Sequence, residues 1–565
     1  MLLYKKIIAF ALPMVVLIAG CTKLDEKLNS SLTNEQAATA LGAQGTSLLL
    51  QTAYTDISGV FAGQDQLFSL EETTTDESLV PTRGGDWDDN GVWRVLHAHT
   101  WNADHGQILS VFNGLNKLNF DATNVLAFNP TQEQAAEARC LRALSLYYLL
   151  DLYGQYPFRN PGDNLLNAPD VKTGADAINF IISELETVIP DLDPDNGNTK
   201  MSVDAANTLL MHCYLQKGTF INRAAPTFDD ADMQKVITLG NAIITSGRYS
   251  YTPNYFDNFS VDNGTKSKEN IFAYANQSGA SAAHAATEAR WMMTLHYNSY
   301  AAQAPNAGWN GFSTISDFYN SFGATTPTTA TSASNRVNGF FTGVGAKSNK
   351  DTAIDTRLGG RVMSNLASVQ ASGIRPGFLI GQQYDNKGVA EEDRNGHPLA
   401  FDPKIADDMV ELGNNLEVTG IRVVKYPPDF TSGGSYYAGP AGNWLTIFRY
   451  PDVVLMVAEA KMRAASPDMA GALVLVNELR NARSAAAMAS ITLVNPDNVD
   501  DPNTLLAERG RELYWESFRR TDLLRFGVYL VPWGLKPTDD PKNLVFPIPS
   551  QSLAANPNLK QNSGY

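Results

Sequence analysis

Apolar positions recur every three or four residues from 34 to 248 and again after 443, and between those limits the rhythm is lost. The clearest helix starts at Tyr450-Pro451-Asp452. Val454, Leu455 and Met462 make its apolar stripe, while Ala458 and Ala460 are small enough to let a second helix approach. Ser466-Pro467-Asp468 reads as the next start: Ser466 as N-cap, Pro467 in the first position, Asp468 at the positive end of the dipole. Met469, Leu473, Val476 and Leu479 continue it. Asp501-Pro502 repeats the signal ahead of one long predicted helix, Leu505 to Arg525. Glu508/Arg511, Arg509/Glu512 and Glu516/Arg520 sit three or four apart there, the pattern of a charged face on a packed helix.

The earlier segment reads the same way. A helix is predicted from about Asn34 to Tyr54; Ile108, Phe112, Leu115 and Leu118 stripe a second. Ala138, Leu141, Ser145, Tyr148, Leu149 and Leu152 stripe a third that ends at Tyr153-Gly154. Others fall near Asp176–Val188, Val203–Lys217 (closed by Gly218) and Met233–Ser246. Ala205, Leu209 and Tyr214 look like half of a tetratricopeptide hairpin. Repeated pairs of this kind predict an α-rich, tetratricopeptide-like scaffold forming one globular unit, without a strict repeat period.

Two stretches are irregular. One, from Glu71 to His105, contains Pro81-Thr-Arg-Gly-Gly-Asp-Trp87 and Gly91-Val-Trp93. The other, 249–443, is rich in Gly, Ser, Thr and Asn, yet it carries Trp291, Tyr297, Tyr300, Trp309, Phe312, Phe318 and Tyr319, which argue against disorder. A loop-rich region of this length in a compact protein points to function. Ile271–Tyr274 and Gly420–Lys425 read as short strands within it, and Ala324–Ser334 as a low-complexity excursion.

The N-terminus changes the picture. Lys5-Lys6 precede a short apolar run from Ile7 to Ala19, interrupted by Pro13. It is too short for the roughly 20 residues that a bilayer core requires, so residues 1–20 read as a secretory leader. Leu17-Ile-Ala-Gly-Cys21 resembles a bacterial lipobox, which makes Cys21 the expected lipidation site and 21–33 a polar tether. Cys140 and Cys213 fall inside helical patterns and read as free buried thiols rather than a bridge. With 43 basic and 59 acidic residues the net charge is −16. That balance disfavours nucleic acid and anionic lipid as partners and leaves neutral ligands unaffected.

Candidate chemistry is sparse. His97, His99 and His105 are close in sequence, but their spacing around Trp101 and a helix start does not turn three rings to one metal. Asp191-Leu-Asp-Pro-Asp-Asn-Gly197 has its glycine one place late for a calcium loop, and Ser202 stands where the bidentate Glu belongs. No phosphate-binding, dinucleotide or nucleophile-elbow pattern occurs. No metal or cofactor is expected. For a sugar ligand the best positions are Trp87, flanked by Arg83 and Asp86, and Trp309, flanked by Asn306 and Asn310: flat rings for the apolar sugar faces, polar neighbours for the hydroxyls. Core burial is the competing reading for both rings. Trp93, Trp101, Trp444 and Trp515 are expected in the scaffold, and Trp515 on a helix.

Arg449-Tyr-Pro-Asp452 with Ala458-Glu-Ala460, Glu508-Arg-Gly-Arg-Glu512, Arg520-Thr-Asp-Leu-Leu-Arg525, Phe546-Pro-Ile-Pro549, Asn556-Pro-Asn-Leu559 and Gly564-Tyr565, in that order, resemble the SusD/RagB family of outer-membrane nutrient-binding lipoproteins. Glu137-Ala-Arg139 running into Tyr153-Gly-Gln-Tyr-Pro157 is similar to another signature of that family. The resemblance implies an N-terminal helical region (34–248) and a C-terminal region (249–565) holding the loop-rich insert. It also implies a non-catalytic lipoprotein on the outer-membrane surface that binds glycans and delivers them to a TonB-dependent, SusC-like barrel. A lipid-anchored glycosidase and a peptide-binding member of the same import system are the alternatives.

Overall fold

The computed structural model describes residues 34–195, 197–279, 286–301, 308–322, 336–337, 340–341, 355–359, 374–385, 389–413, 416–430 and 441–565. The leader, Cys21 and its tether, Asn306 and the stretch 324–334 lie outside the described residues.

The helices pack in chain order. Helix α1 (Asn34–Phe61) lies on α2 (Gly106–Leu126), α2 on α3 (Gln132–Tyr153), α3 on α4 (Gly174–Val188), α4 on α5 (Val203–Ile221) and α5 on α6 (Asp230–Thr245). The succession then passes over the whole loop-rich region. Helix α7 (Tyr450–Arg463) packs on α6, and α8 (Met469–Ala482) on α7. Local chemistry accounts for the ends. Thr131 Oγ1 accepts the Gln134 N–H at 3.2 Å while Gln134 Oε1 accepts the Thr131 N–H at 3.1 Å, a capping box for α3. Gly154, at φ 69°, closes that helix in the left-handed conformation. Ala177, Ile178, Ile181, Ile182, Leu185 and Val188 bury one face of α4 at the expected spacing. No helix among the described residues is long and apolar enough to cross a membrane.

Several boundaries differ from the sequence reading, beginning with α1, which runs on past Tyr54 to Phe61. Helix α5 continues through Gly218, which is glycine for another reason: a Cβ there would lie 1.7 Å from the Thr227 carbonyl oxygen. Helix α8 is capped by Asp468 rather than Ser466, because the Asp468 carboxylate accepts both the Gly471 N–H (2.8 Å) and the Lys461 ammonium (2.7 Å). The predicted helix Leu505–Arg525 is two helices, α9 (Leu505–Leu513), capped by Thr504, and α10 (Arg519–Arg525). Between them Trp515 and Ser517 adopt φ 58° and 68°, and their N–H groups donate to the buried carboxyl groups of Glu77 and Glu72. A distant segment thus satisfies the backbone that a helical turn would have satisfied. Trp515 is buried as expected, but in this connection rather than on a helix.

The charged residues of α9 are interior, not a solvated face. Glu508, Arg509, Arg511 and Glu512 are all buried. The Glu508–Arg511 pair forms at 2.6 Å, whereas Arg509 turns to Asp452 and Asp522, and Arg520 of α10 to Asp151. Cys140 and Cys213 are free and buried.

Short strands tie the irregular regions to this scaffold. Asn270–Tyr274 pairs antiparallel with Leu445–Arg449, which leads directly into α7. Arg422–Val424 pairs antiparallel with Gly377–Leu379. Thr82–Arg83 runs parallel to Val410–Glu411, bringing the first irregular stretch against the second. Most aromatics of the loop-rich region serve the core: Trp291, Tyr300, Phe312, Phe318 and Tyr319 are buried.

Candidate functional site

The junction of the two irregular regions begins with a tight turn. Arg83 and Asp86 exchange backbone hydrogen bonds (2.8 and 3.1 Å) around Gly84-Gly85, with Gly84 at φ 65°. The turn sends the Asp86 carboxylate outward and leaves Trp87 at φ 59°, so that its ring folds back against Trp93 and Phe312, edge to face at 5.6 and 5.4 Å. The indole Nε1 donates to the Trp309 carbonyl at 2.7 Å. Gly311 makes room beneath: a Cβ there would come within 2.4 Å of the Trp87 ring. The Trp309 segment is pinned in turn, because Trp309, Asn310 and Gly311 donate their N–H groups to the carbonyls of Met292, Leu295 and Met293.

A second aromatic joins the same surface. The Tyr297 hydroxyl donates to Asp86, and the Arg394 guanidinium lies over the Tyr297 ring, 4.1 Å from its centroid. Burial and the adjacent Asp86 carboxylate push the Tyr297 phenol well above its ordinary range. Arg394 Nε donates to Glu417 at 2.5 Å. His296 Nδ1 accepts the Asn298 N–H at 3.0 Å, which places the ring proton on Nε2, 2.8 Å from Glu417. Burial lowers the His296 pKa to about 4, so the ring is neutral. Burial alone would raise the Glu417 carboxyl, but His296 and Arg394 hold it below the usual carboxylate range. Trp87, Trp309 and Tyr297 are each half-buried in this junction, and Asp86 and Arg394 beside them are exposed. The Trp87 and Tyr297 rings are held by hydrogen bonds to backbone and carboxylate, an arrangement that can stack on a planar ligand face and that, among the described residues, pairs no nucleophile with a base.

A family model describing the SusD family matches residues 268–565. The chain belongs to the SusD family. Along its full length this SusD-family chain is 25% identical to the starch-binding protein SusD of Bacteroides thetaiotaomicron, covering 100% of this chain and 99% of that protein. Among solved structures it is similar to a laminarin-binding SusD-like protein (TM-score 0.63, 17% identity, 94% of this chain and 100% of the other). It also resembles surface glycan-binding protein A from B. thetaiotaomicron in complex with laminarihexaose (TM-score 0.60, 16% identity, 92% and 99%). The SusD-like fold, helix-rich and forming one globular unit, matches the sequence expectation. The family is one of binding proteins, and this member is not an enzyme.

Of the residues singled out from the sequence, the SusD fold brings Asp86, Trp87 and Trp309 together. Arg83, expected beside a ligand, is instead 2% exposed. Its guanidinium donates to the Thr419 carbonyl and hydroxyl, both at 2.8 Å, and so braces the wall of the site. Asn310 is fully buried, and Asn306 lies outside the described residues. Trp87 has a packing role that the glycines around it did not reveal, since its ring is seated between Trp93 and Phe312. Tyr297 and Arg394 were missed as site residues. Tyr297 lies 211 positions from the Asp86 it bonds, and nothing local marks Arg394 as its partner.

The three histidines diverge, as their spacing predicts. His97 lies between the Ser78 and Gly534 carbonyls, His99 between Asp539 and the Thr74 carbonyl, and His105 against the Val92 carbonyl.

Proposed function

We propose that this protein binds an oligosaccharide across the Trp309–Tyr297–Asp86 surface. On this reading it is a lipoprotein anchored through Cys21 on the outer-membrane surface that delivers its ligand to a TonB-dependent, SusC-like transporter. Residues 1–20 are then the leader, 21–33 the tether, 34–248 the helical body and 249–565 the region carrying the ligand face. One observation carries the binding claim: partly exposed aromatic rings, fixed by hydrogen bonds, lie beside an exposed carboxylate and guanidinium. Rings of this kind cover the apolar face of a sugar while polar neighbours take its hydroxyls. The starch-binding and laminarihexaose-bound relatives support a glycan over a peptide.

The test is a glycan array on the soluble protein without residues 1–27, followed by calorimetry. Trp309→Ala and Tyr297→Ala should each weaken the best ligand tenfold or more, about 1.4 kcal/mol per factor of ten. Capture of peptides and of no glycan would overturn the reading. For the anchor, Cys21→Ala should leave an uncleaved or soluble precursor. For delivery, mild-detergent extracts should contain the protein together with a large β-barrel; its repeated recovery alone from membranes that hold the barrel would count against import.

A further inference from the structure

We infer that this site selects neutral, hydroxyl-rich glycans and rejects sulfated or carboxylated ones. The inference rests on the glycan-binding reading above and concerns the charge of the ligand. The exposed edge of the site is acidic. Asp86 and Asp88 leave 51% and 49% of their side chains exposed, and Asp89 and Glu392 are exposed beside them. Among the described residues two accessible cations face these groups, and each has a carboxylate partner. Arg94 pairs with Asp88 at 3.3 Å. Arg394 gives its Nε–H to Glu417, approaches Asp86 at 3.9 Å and spends its face on the Tyr297 ring.

The layer beneath supplies no anion receptor either. Arg83 and Arg422 are buried and donate to carbonyls and hydroxyls of Ser313, Leu416, Thr419, Thr294 and Glu417. The buried carboxylates Glu411 and Glu417 accompany them. Among the described residues around the rings, six carboxylates therefore stand against four guanidiniums.

What the surface offers a ligand is acceptor capacity. A carboxylate has about four lone-pair sites, and the Tyr297 hydroxyl takes one of those on Asp86. A sugar hydroxyl donates into such a site at little desolvation cost. A sulfate or carboxylate would have to lie on the same rings against Asp86, and the exposed guanidinium there, Arg394, already balances the charge of Glu417 and Asp86. The overall charge of −16 adds a weaker repulsion, screened beyond about 8 Å at physiological salt.

The experiment uses the soluble protein on an array of neutral, sulfated and uronate glycans, then calorimetry with maltoheptaose, laminarihexaose and their sulfated derivatives. The expected result is that ligands lost on Trp309→Ala are neutral and that sulfation weakens them at least tenfold. Asp86→Asn and 0.5 M salt should both narrow that gap. If the ligands that depend on Trp309 are sulfated or uronate glycans, or sulfation tightens binding, the selectivity is refuted while the glycan reading stands. If no glycan of either kind binds, the glycan reading fails and this inference falls with it.

Discussion

Glu512→Gln is the most informative perturbation of the scaffold. Its carboxylate is fully buried and accepts N–H groups from Arg357 (3.1 Å), Arg483 (3.1 and 2.7 Å) and Arg449. These arginines hold Glu512 far below the ordinary carboxylate range despite burial. The surrounding network contains six cations (Arg357, Lys425, Arg449, Arg480, Arg483, Arg511) and five carboxylates (Glu269, Asp355, Glu508, Glu512, Glu516). The amide keeps the shape but leaves six cations facing four anions and turns an N–H₂ toward guanidinium donors. Breaking a buried pair in this way costs about 3–5 kcal/mol. With about 2.1 cal/mol/K of unfolding entropy per residue, the roughly 460 described residues carry about 1 kcal/mol/K, so the melting temperature should fall by ~3–5 °C. Scanning calorimetry and urea unfolding followed by tryptophan fluorescence read both quantities. A cycle with Arg483→Met should show coupling, the double variant losing less than the sum of the two singles. A Glu512→Gln protein within about 0.5 kcal/mol of wild type would refute the claim that this network needs its full negative charge.

Three further outcomes are expected. Burial raises the Glu72 carboxyl to about 8, so its contribution to stability is complete below the unfolded value near 4.5 and is lost as pH rises through 8. Glu72→Gln should therefore match wild type near pH 4.5 and exceed it at pH 8, by an upper limit on the order of 4 kcal/mol in urea titrations; a variant weaker at pH 8 contradicts this. Gly311→Ala should drive a methyl into the Trp87 ring, lowering the melting temperature by an overpacking cost of about 1–3 kcal/mol and weakening glycan binding together, which a thermal melt and calorimetry will show. Trp515→Ala removes a ring that packs on Phe68 and donates to the Glu77 carbonyl at 3.0 Å, so about 3–5 kcal/mol of stability should go while affinity, measured where the variant is folded, stays intact.

Helical periodicity, the capping box at Thr131 and the Tyr153-Gly154 stop are local, and the sequence alone determined them. Their physics involves only residues within a turn or two, so α1 to α8 and their succession were legible, as was the scaffold role of Trp515. So was the family, because its motifs are short, ordered runs. The tertiary structure alone decided whatever depends on partners far along the chain. Glu72 and Glu77 reach across more than four hundred positions to break the helix expected through Trp515. Acid–base pairs spaced for a charged face became an interior network, because counter-charges for Glu512 come from Arg357, Arg449 and Arg483, and those for Arg509 and Arg520 from Asp452, Asp522 and Asp151, which makes burial tolerable. At the site, Gly84-Gly85 announced a turn and Asp86 its exposed end, but the ring of Trp87 turned inward because Gly311 leaves a space that only folding brings beneath it. Tyr297 and Arg394 joined that surface through a hydroxyl–carboxylate bond and a cation–ring contact. Periodicity carries no information about such contacts, since neither partner lies on a regular element that fixes where it points.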